Sequence, residues 1–451
     1  MRNVKKFLGA IVMSLFLLVS GPVPSVIATE AKVLEIWDIY YEPNRDPVVE
    51  AAIEQFKQKY PDWQVKRTSR PLEDMKMAVM AALSAGVGPD VVLVNNGEQM
   101  MGPMVRAKQI INLDPYVEKY GWIDRLFSPG LWNRVRYTLD GTQFGEGSVW
   151  AVGLDAELVG IYYNKEIFEE LGLSPFESLE ELEEVMEKVK GAGYDPLAVG
   201  VLDDWQFFHL YGALQHAALA NQMGADAAQE YLDDIVIRSK PERSWQEQGN
   251  IDAARILQEW VQKGYLVEGF SALSGDDSTQ VFLAEETALL LQGSWDSSQV
   301  AKADFDAGFL PFPPLEKGGE FPPQIGGMAT PLGISAYSPH PDIAAEYLNL
   351  LVASDRTVEL QLEMNVLPAL VPAPLEGILE EELYYDLLTS WNKAAELDRI
   401  GHFLDWTTPT MWDTLGEAGR DLLLLQITPE EFVKKVEADY RAFVLSKEKK
   451  E

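Results

Sequence analysis

The chain has 451 residues, 37 Lys plus Arg against 71 Asp plus Glu, a formal net charge of −34 and no cysteine. A surface this acidic repels phosphate backbones and anionic headgroups, which excludes nucleic-acid and lipid-surface partners. The missing thiols exclude disulfides, thiolate metal sites, thiol nucleophiles and a cysteine-borne lipid anchor, and the four histidines, His209, His216, His340 and His402, are too scattered in sequence to form a local metal motif.

The N-terminus reads as an export signal. Arg2, Lys5 and Lys6 precede an apolar stretch at 7–19, Gly21, Pro22 and Pro24 break it, and Val26 and Ala28 place small residues at the −3 and −1 positions of a cut. The stretch is short for a membrane span, and no later one approaches the ~20 residues a span needs. The expectation is a signal peptide over 1–28 and an exported protein, periplasmic or extracellular, without a lipid anchor.

Beyond the cut, strand and helix signals alternate. Residues 33–40 are β-rich. Val49, Ile53, Phe56 and Tyr60 share one face of a helix over 47–60, which Pro61 ends. Residues 63–68 read as a strand and 74–85 as a helix stopped by Gly86. The continuous apolar run Val91-Val92-Leu93-Val94 predicts a strand buried on both faces. This β-α-β-α-β order predicts a parallel sheet covered by helices.

From about residue 150 a second block follows. Strands are predicted at 159–163, 196–201 and 288–292. Helices are predicted after the Ser178-Leu179-Glu180-Glu181 capping box, over 251–263, over 343–353 and from Thr428-Pro429 onward. The Pro- and Gly-rich stretch 310–331 reads as loop or linker.

No nucleophile elbow, zinc-protease motif or phosphate loop occurs, and no cofactor is expected. What recurs is tryptophan beside carboxylate or amide at the ends of elements: Asp38 and Tyr41 after the first strand, Asn96 and Glu98 after the buried one, Asp203-Asp204-Trp205, Trp295-Asp296 and Trp412-Asp413. Ligands sit beyond the carboxyl ends of strands in such sheets. A sugar ring packs its C–H face on an indole, while carboxylates bind its hydroxyls through charge-assisted hydrogen bonds. Each tryptophan taken singly has the alternative of core packing, to which Trp63 is assigned.

Several segments then resemble a known family. These are Gly88-Pro89-Asp90-Val91-Val92, Ile161-Tyr162-Tyr163-Asn164-Lys165-Glu166-Ile167-Phe168 with Leu171-Gly172, Gly293-Ser294-Trp295, and Gly326-Gly327 leading to Ile334-Ser335-Ala336-Tyr337. Their order is similar to that of the family 1 extracellular solute-binding proteins of ABC importers, the maltose and oligosaccharide receptors among them. The resemblance implies an α/β fold of two lobes, each a mainly parallel sheet flanked by helices, joined by a multi-segment hinge. It divides the chain into a first lobe of 29–155 plus 326–366 and a second of 156–325 plus 367–451. It implies a monomer that binds a sugar, an oligosaccharide above all, between the lobes and delivers it to the transmembrane permease of an ABC transporter. Counting back from Tyr163-Asn164-Lys165, Glu157 takes the place of a cleft carboxylate. Trp295 and Trp412 resemble the stacking tryptophans, although Ser294 replaces the usual Pro. Asp203 and Trp205 take the acidic and aromatic places of the second lobe, and Asp38, Tyr41, Asn96 and Glu98 lie in the first-lobe loops.

Two alternatives stand beside this expectation. One is a carbohydrate-cleaving enzyme using carboxylates such as Glu157 and Asp296. The other is a receptor for a non-sugar solute, a polyamine or a peptide, which the excess of acid would suit.

Overall fold

A computed structural model describes residues 32–125, 129–368, 375–380 and 382–448; the expected signal peptide over 1–28 lies outside them. Two separate sheets organise the chain. The first sheet has the strand order Leu332–Ile334, Val91–Leu93, Lys32–Asp38, Trp63–Ser69. Lys32–Asp38 runs parallel to both of its neighbours, and Leu332–Ile334 adds antiparallel at the edge. The β-α-β-α-β reading matches this arrangement, with helices Asp46–Lys59 and Leu72–Ser84 as the crossovers.

The second sheet is mixed. Its central strand, Ala156–Asn164, is buried along its whole length and runs antiparallel to Gln324–Met328, Thr287–Gly293 and Ala307–Pro311. Asp195–Ala198 and Ile400–Gly401 add parallel at the two ends. An unbroken apolar strand reads the same in either direction, since burial on both faces fixes its composition and leaves its polarity open.

Local signals account for the helix starts. Ser178 Oγ accepts from Glu181 N at 3.2 Å and opens the helix Leu179–Ala192. Glu181 bonds back to Glu177 N, one residue before the cap. Ser274 and Asp277 form a reciprocal capping box at the start of Gly275–Leu283.

Two elements depart from expectation. The stretch 310–331 contains the strand Gln324–Met328, whose Gly326 packs against the Glu157–Leu158 backbone and whose Gly327 makes room for Arg134. That strand belongs to the second sheet as far as Met328, and Leu332–Ile334, a few residues on, belongs to the first. The helix Trp205–Met223 was absent from the sequence reading. Its residues from Gln206 to Ala220 are all buried, and a helix buried on every side carries no apolar stripe. No helix among the described residues is long and apolar enough to cross a membrane.

Candidate functional site

A cavity of about 380 Å³ lies between the two sheets and takes its walls from both. Its floor is built around Arg45, at the start of helix Asp46–Lys59. The guanidinium is 2% exposed and donates from Nε to Asp155 Oδ2 and from a terminal nitrogen to Glu157 Oε1, each at 2.8 Å. Glu42 Oε1 stands 3.7 Å away. Three carboxylates thus face one cation. Burial raises the Asp155 carboxyl to about 7, against the pull of Arg45, and raises Glu42 and Glu157 for the same reason.

The second lobe supplies an aromatic wall. Trp205, Phe208 and His209 come from the first turns of the buried helix, Trp295 from the turn after Thr287–Gly293, and Phe403, Trp406 and Trp412 from the C-terminal segment. Trp205 and Trp295 meet edge to face at 6.0 Å between ring centres. Two glycines let the indoles lie flat: a Cβ on Gly275 would stand 1.8 Å from Trp205, and one on Gly293 would stand 2.1 Å from Trp295. Asp203 fixes the Trp205 ring by accepting from its Nε1 at 2.7 Å, and it also accepts from Gly275 N. Phe208 packs edge-on to Trp412 at 5.0 Å.

Of the residues singled out in the sequence, Tyr41, Asn96, Glu157, Asp203, Trp205, Trp295 and Trp412 line this cavity. Four do not. Asp38 is fully buried behind it and accepts from Arg67, Ser69 and Tyr40 N, which holds the loop that carries Tyr41 and Arg45. Glu98 is also fully buried and pairs with Arg106 at 2.8 Å. Asp296 sits behind Trp295, 4% exposed, and accepts from Thr279 Oγ1 at 2.7 Å; burial lifts its carboxyl to about 6. Asp413 is exposed outside the lining. In each case the neighbouring tryptophan, tyrosine or amide reaches the cavity and the acid beside it points elsewhere. Trp63 packs on the core against Phe56 and His340.

The sequence reading missed His209, Asp276 and Asp405. His209 is 7% exposed and contacts the rings of Trp205, Trp295 and Phe403 at 5.2–5.6 Å. Its Nδ1 has no hydrogen-bond partner among the described residues. Burial lowers its pKa to about 3, so the imidazole is neutral at ordinary pH. Asp405 is buried beside Lys76, and desolvation raises its carboxyl to about 6. A signal for His209 did exist, four residues after Trp205 and hence on the same helix face, but a lone histidine on an apolar helix reads as core.

The description "bacterial extracellular solute-binding protein" belongs to the family model that matches residues 51–377. A multiple sugar-binding protein of Streptococcus mutans is 23% identical over 346 residues, covering 75% of this chain and 74% of that protein. A maltodextrin-binding protein of Bacillus subtilis is 25% identical over 235 residues, covering 50% of this chain and 51% of that one. Among solved structures, a chitin oligosaccharide binding protein matches with a TM-score of 0.74 at 19% identity, over 92% of this chain and 99% of that one. The binding protein RafE in complex with raffinose matches at 0.70 and 18% identity, over 91% of this chain and all 100% of that one. These structures share the two-lobed fold. The family match covers most of the chain, and the chain belongs to the bacterial extracellular solute-binding protein family.

Proposed function

We propose that this protein is an exported receptor that holds a sugar, an oligosaccharide above all, in the cleft between its lobes and delivers it unchanged to the permease of an ABC transporter. One observation carries the reading: tryptophan faces from one lobe and carboxylates from both converge on a single cavity. Indoles supply apolar contact for the C–H face of a sugar ring, and carboxylates orient its hydroxyls. A volume of about 380 Å³ falls within the ~300–1,000 Å³ typical of small-molecule sites. The relatives named for multiple sugars and maltodextrin agree with it.

The ligand-contacting residues in this reading are Tyr41, Asn96, Glu157, Asp203, Trp205, Trp295 and Trp412. The alternative of carbohydrate cleavage is less well supported. Glu157 is engaged by Arg45, and Asp296 lies behind the wall with Thr279, so this pair does not flank a shared open space as two catalytic carboxylates must. A ligand that binds both lobes favours the closed arrangement, which presents a docking surface to the permease.

A thermal-shift screen against mono- and oligosaccharides tests the reading, because a ligand bound only to the native state raises the melting temperature. A shift with a saccharide, which chromatography then recovers intact after prolonged incubation, supports it. Cleavage of that saccharide, or a shift with peptides or polyamines alone, overturns it.

A further inference from the structure

Two corners of the cleft have the same chemical make-up, and the chain fills one of them itself. In the first corner the Lys76 ammonium stands 4.4 Å over the Trp412 ring and 2.9 Å from Glu73 Oε1, with the buried Asp405 carboxyl in its field. Lys76 is only 7% exposed. The corner is therefore an aromatic face and carboxylates closed around an ammonium, an arrangement in which ring quadrupole and carboxylate both attract the cation.

The second corner repeats the surroundings. Trp205 and Trp295 form the rings, and Asp203 and Asp276 supply the carboxylates. No cation among the described residues enters it: Arg45, which lines the cleft, is committed to Asp155 and Glu157. Asp276 accepts no hydrogen bond and forms no ion pair among the described residues, and the partners of Asp203 are the neutral donors Trp205 Nε1 and Gly275 N. A second, independent feature points to a ligand. His209 is buried in the same corner against both indoles, with its Nδ1 unpartnered. The His209 ring lines the cavity and so brings a polar group to this otherwise apolar wall.

We infer that the Trp205–Trp295 corner receives a protonated amine, so that the bound solute is a saccharide carrying a basic nitrogen. The inference rests on the sugar reading above and narrows it. A neutral sugar filling this corner would displace water from Asp203 and Asp276 and bring no counter-charge. Burying a carboxylate without a cation is costly. An amino group on the ring supplies the missing charge and keeps the apolar face for the indoles, as Lys76 does at Trp412.

The test is titration calorimetry with glucosamine oligosaccharides, dimer to pentamer, with their fully N-acetylated counterparts, and with spermidine. The amine oligomers are expected to bind about tenfold or more tightly than the acetylated ones. The gap should narrow as NaCl rises from about 50 to about 500 mM, because screening weakens a partly exposed charge pair. In the Asp276→Asn variant the preference should shrink to about twofold or less. Asp276 is exposed and unpartnered, so the variant is expected to fold as the parent does. Acetylated oligomers that bind as tightly as the amines overturn the inference and leave the sugar reading standing. Binding of spermidine alone removes the sugar reading and the inference with it. Failure of every glucosamine oligomer, or a preference that survives Asp276→Asn, also overturns the inference.

Discussion

Two cavities lie near the boundary between the lobes, and each is built beside a buried arginine. The larger, about 580 Å³, is lined by Arg134, Arg238, Asp233, Asp398 and His402, with Phe144 as its main ring and no tryptophan. The smaller, about 380 Å³, holds the indoles. Arg134 is 2% exposed and forms no ion pair among the described residues. It donates to the carbonyls of Gly326, Ile400 and Gly401, and burial lowers its pKa to about 10. Arg45, equally buried, is held by carboxylates. If the proposed reading holds, the comparison teaches that size is not what marks a ligand site in this fold. A polar chamber with charges of both signs already facing each other offers a guest little that water does not. A smaller chamber with flat aromatic faces and surplus acid offers apolar contact and uncompensated charge.

The largest expected effect separates the two arginines. Arg45→Met leaves Asp155 and Glu157 buried without a cation, and removal of one member of a buried ion pair costs about 3–5 kcal/mol. Arg134→Met strands carbonyl acceptors only, at about 1–3 kcal/mol. Chemical denaturation of both variants decides it. Equal losses would break the distinction between an ion-paired floor and a carbonyl-bound strut.

Next comes binding. Trp295→Ala is expected to weaken the ligand by about 2 kcal/mol or more, as buried aromatic anchors do. Phe144→Ala, in the larger cavity, should leave affinity unchanged. Calorimetry with the ligand found in the thermal screen measures both, and an affinity lost through Phe144 in place of Trp295 would move the site to the larger chamber.

How far the sequence reached follows the same physics. Val91–Leu93, the Ser178 cap and the tryptophans at element ends were readable because each signal is local: an unbroken apolar run, a side chain capping its own helix, an indole just past a strand. Asp38 and Glu98 lie behind the cavity because each pairs with an arginine that the sequence pattern does not reveal. Arg67 claims Asp38 from 29 residues away, and no spacing rule announces it. His209 was passed over for a third reason. It lies on a helix buried all round, where periodicity vanishes. Those three cases show where sequence argument stops: it finds polar groups near a site, and only tertiary pairing says which of them the core has already consumed.

A smaller effect concerns pH. Burial raises the Asp405 carboxyl from the ordinary 3.8 to about 6, against the pull of Lys76. The folded state therefore binds a proton that the unfolded state has released, so this group's contribution falls as pH rises from about 4 to about 6. Asp405→Asn should stabilise the protein by about 2 kcal/mol at pH 8, within the roughly 3 kcal/mol that the whole shift is worth, and by almost nothing at pH 4. Calorimetric melting at the two pH values reads the difference. An equal change at both would mean that packing, not ionisation, sets the cost, and the acid-rich cleft would lose its contrast with the charge-balanced chamber.

The smallest effect tests a tie remote from both indole corners. Lys447, near the end of helix Pro429–Glu448, places its ammonium 3.7 Å from Glu98 Oε1 and 3.3 Å from Ser239 Oγ. Glu98 follows a strand of the first sheet, while Ser239 follows the second-lobe helix Ala225–Leu232 and its extension, so this lysine spans the two halves. Burial lowers its pKa, and Glu98 pulls it back up. Arg106 remains on Glu98 when the lysine is gone, so Lys447→Ala should change stability by less than about 1 kcal/mol. Its trace should appear in the equilibrium between open and closed lobes. A contact made only when the lobes are together weights the closed form, and its loss should lower ligand affinity by about twofold through that population alone. Small-angle scattering of the ligand-free variant should then show a larger radius of gyration than the parent. An unchanged radius together with unchanged affinity would assign the pair to local packing of the last helix and leave closure to the contacts around Arg45 and Arg134.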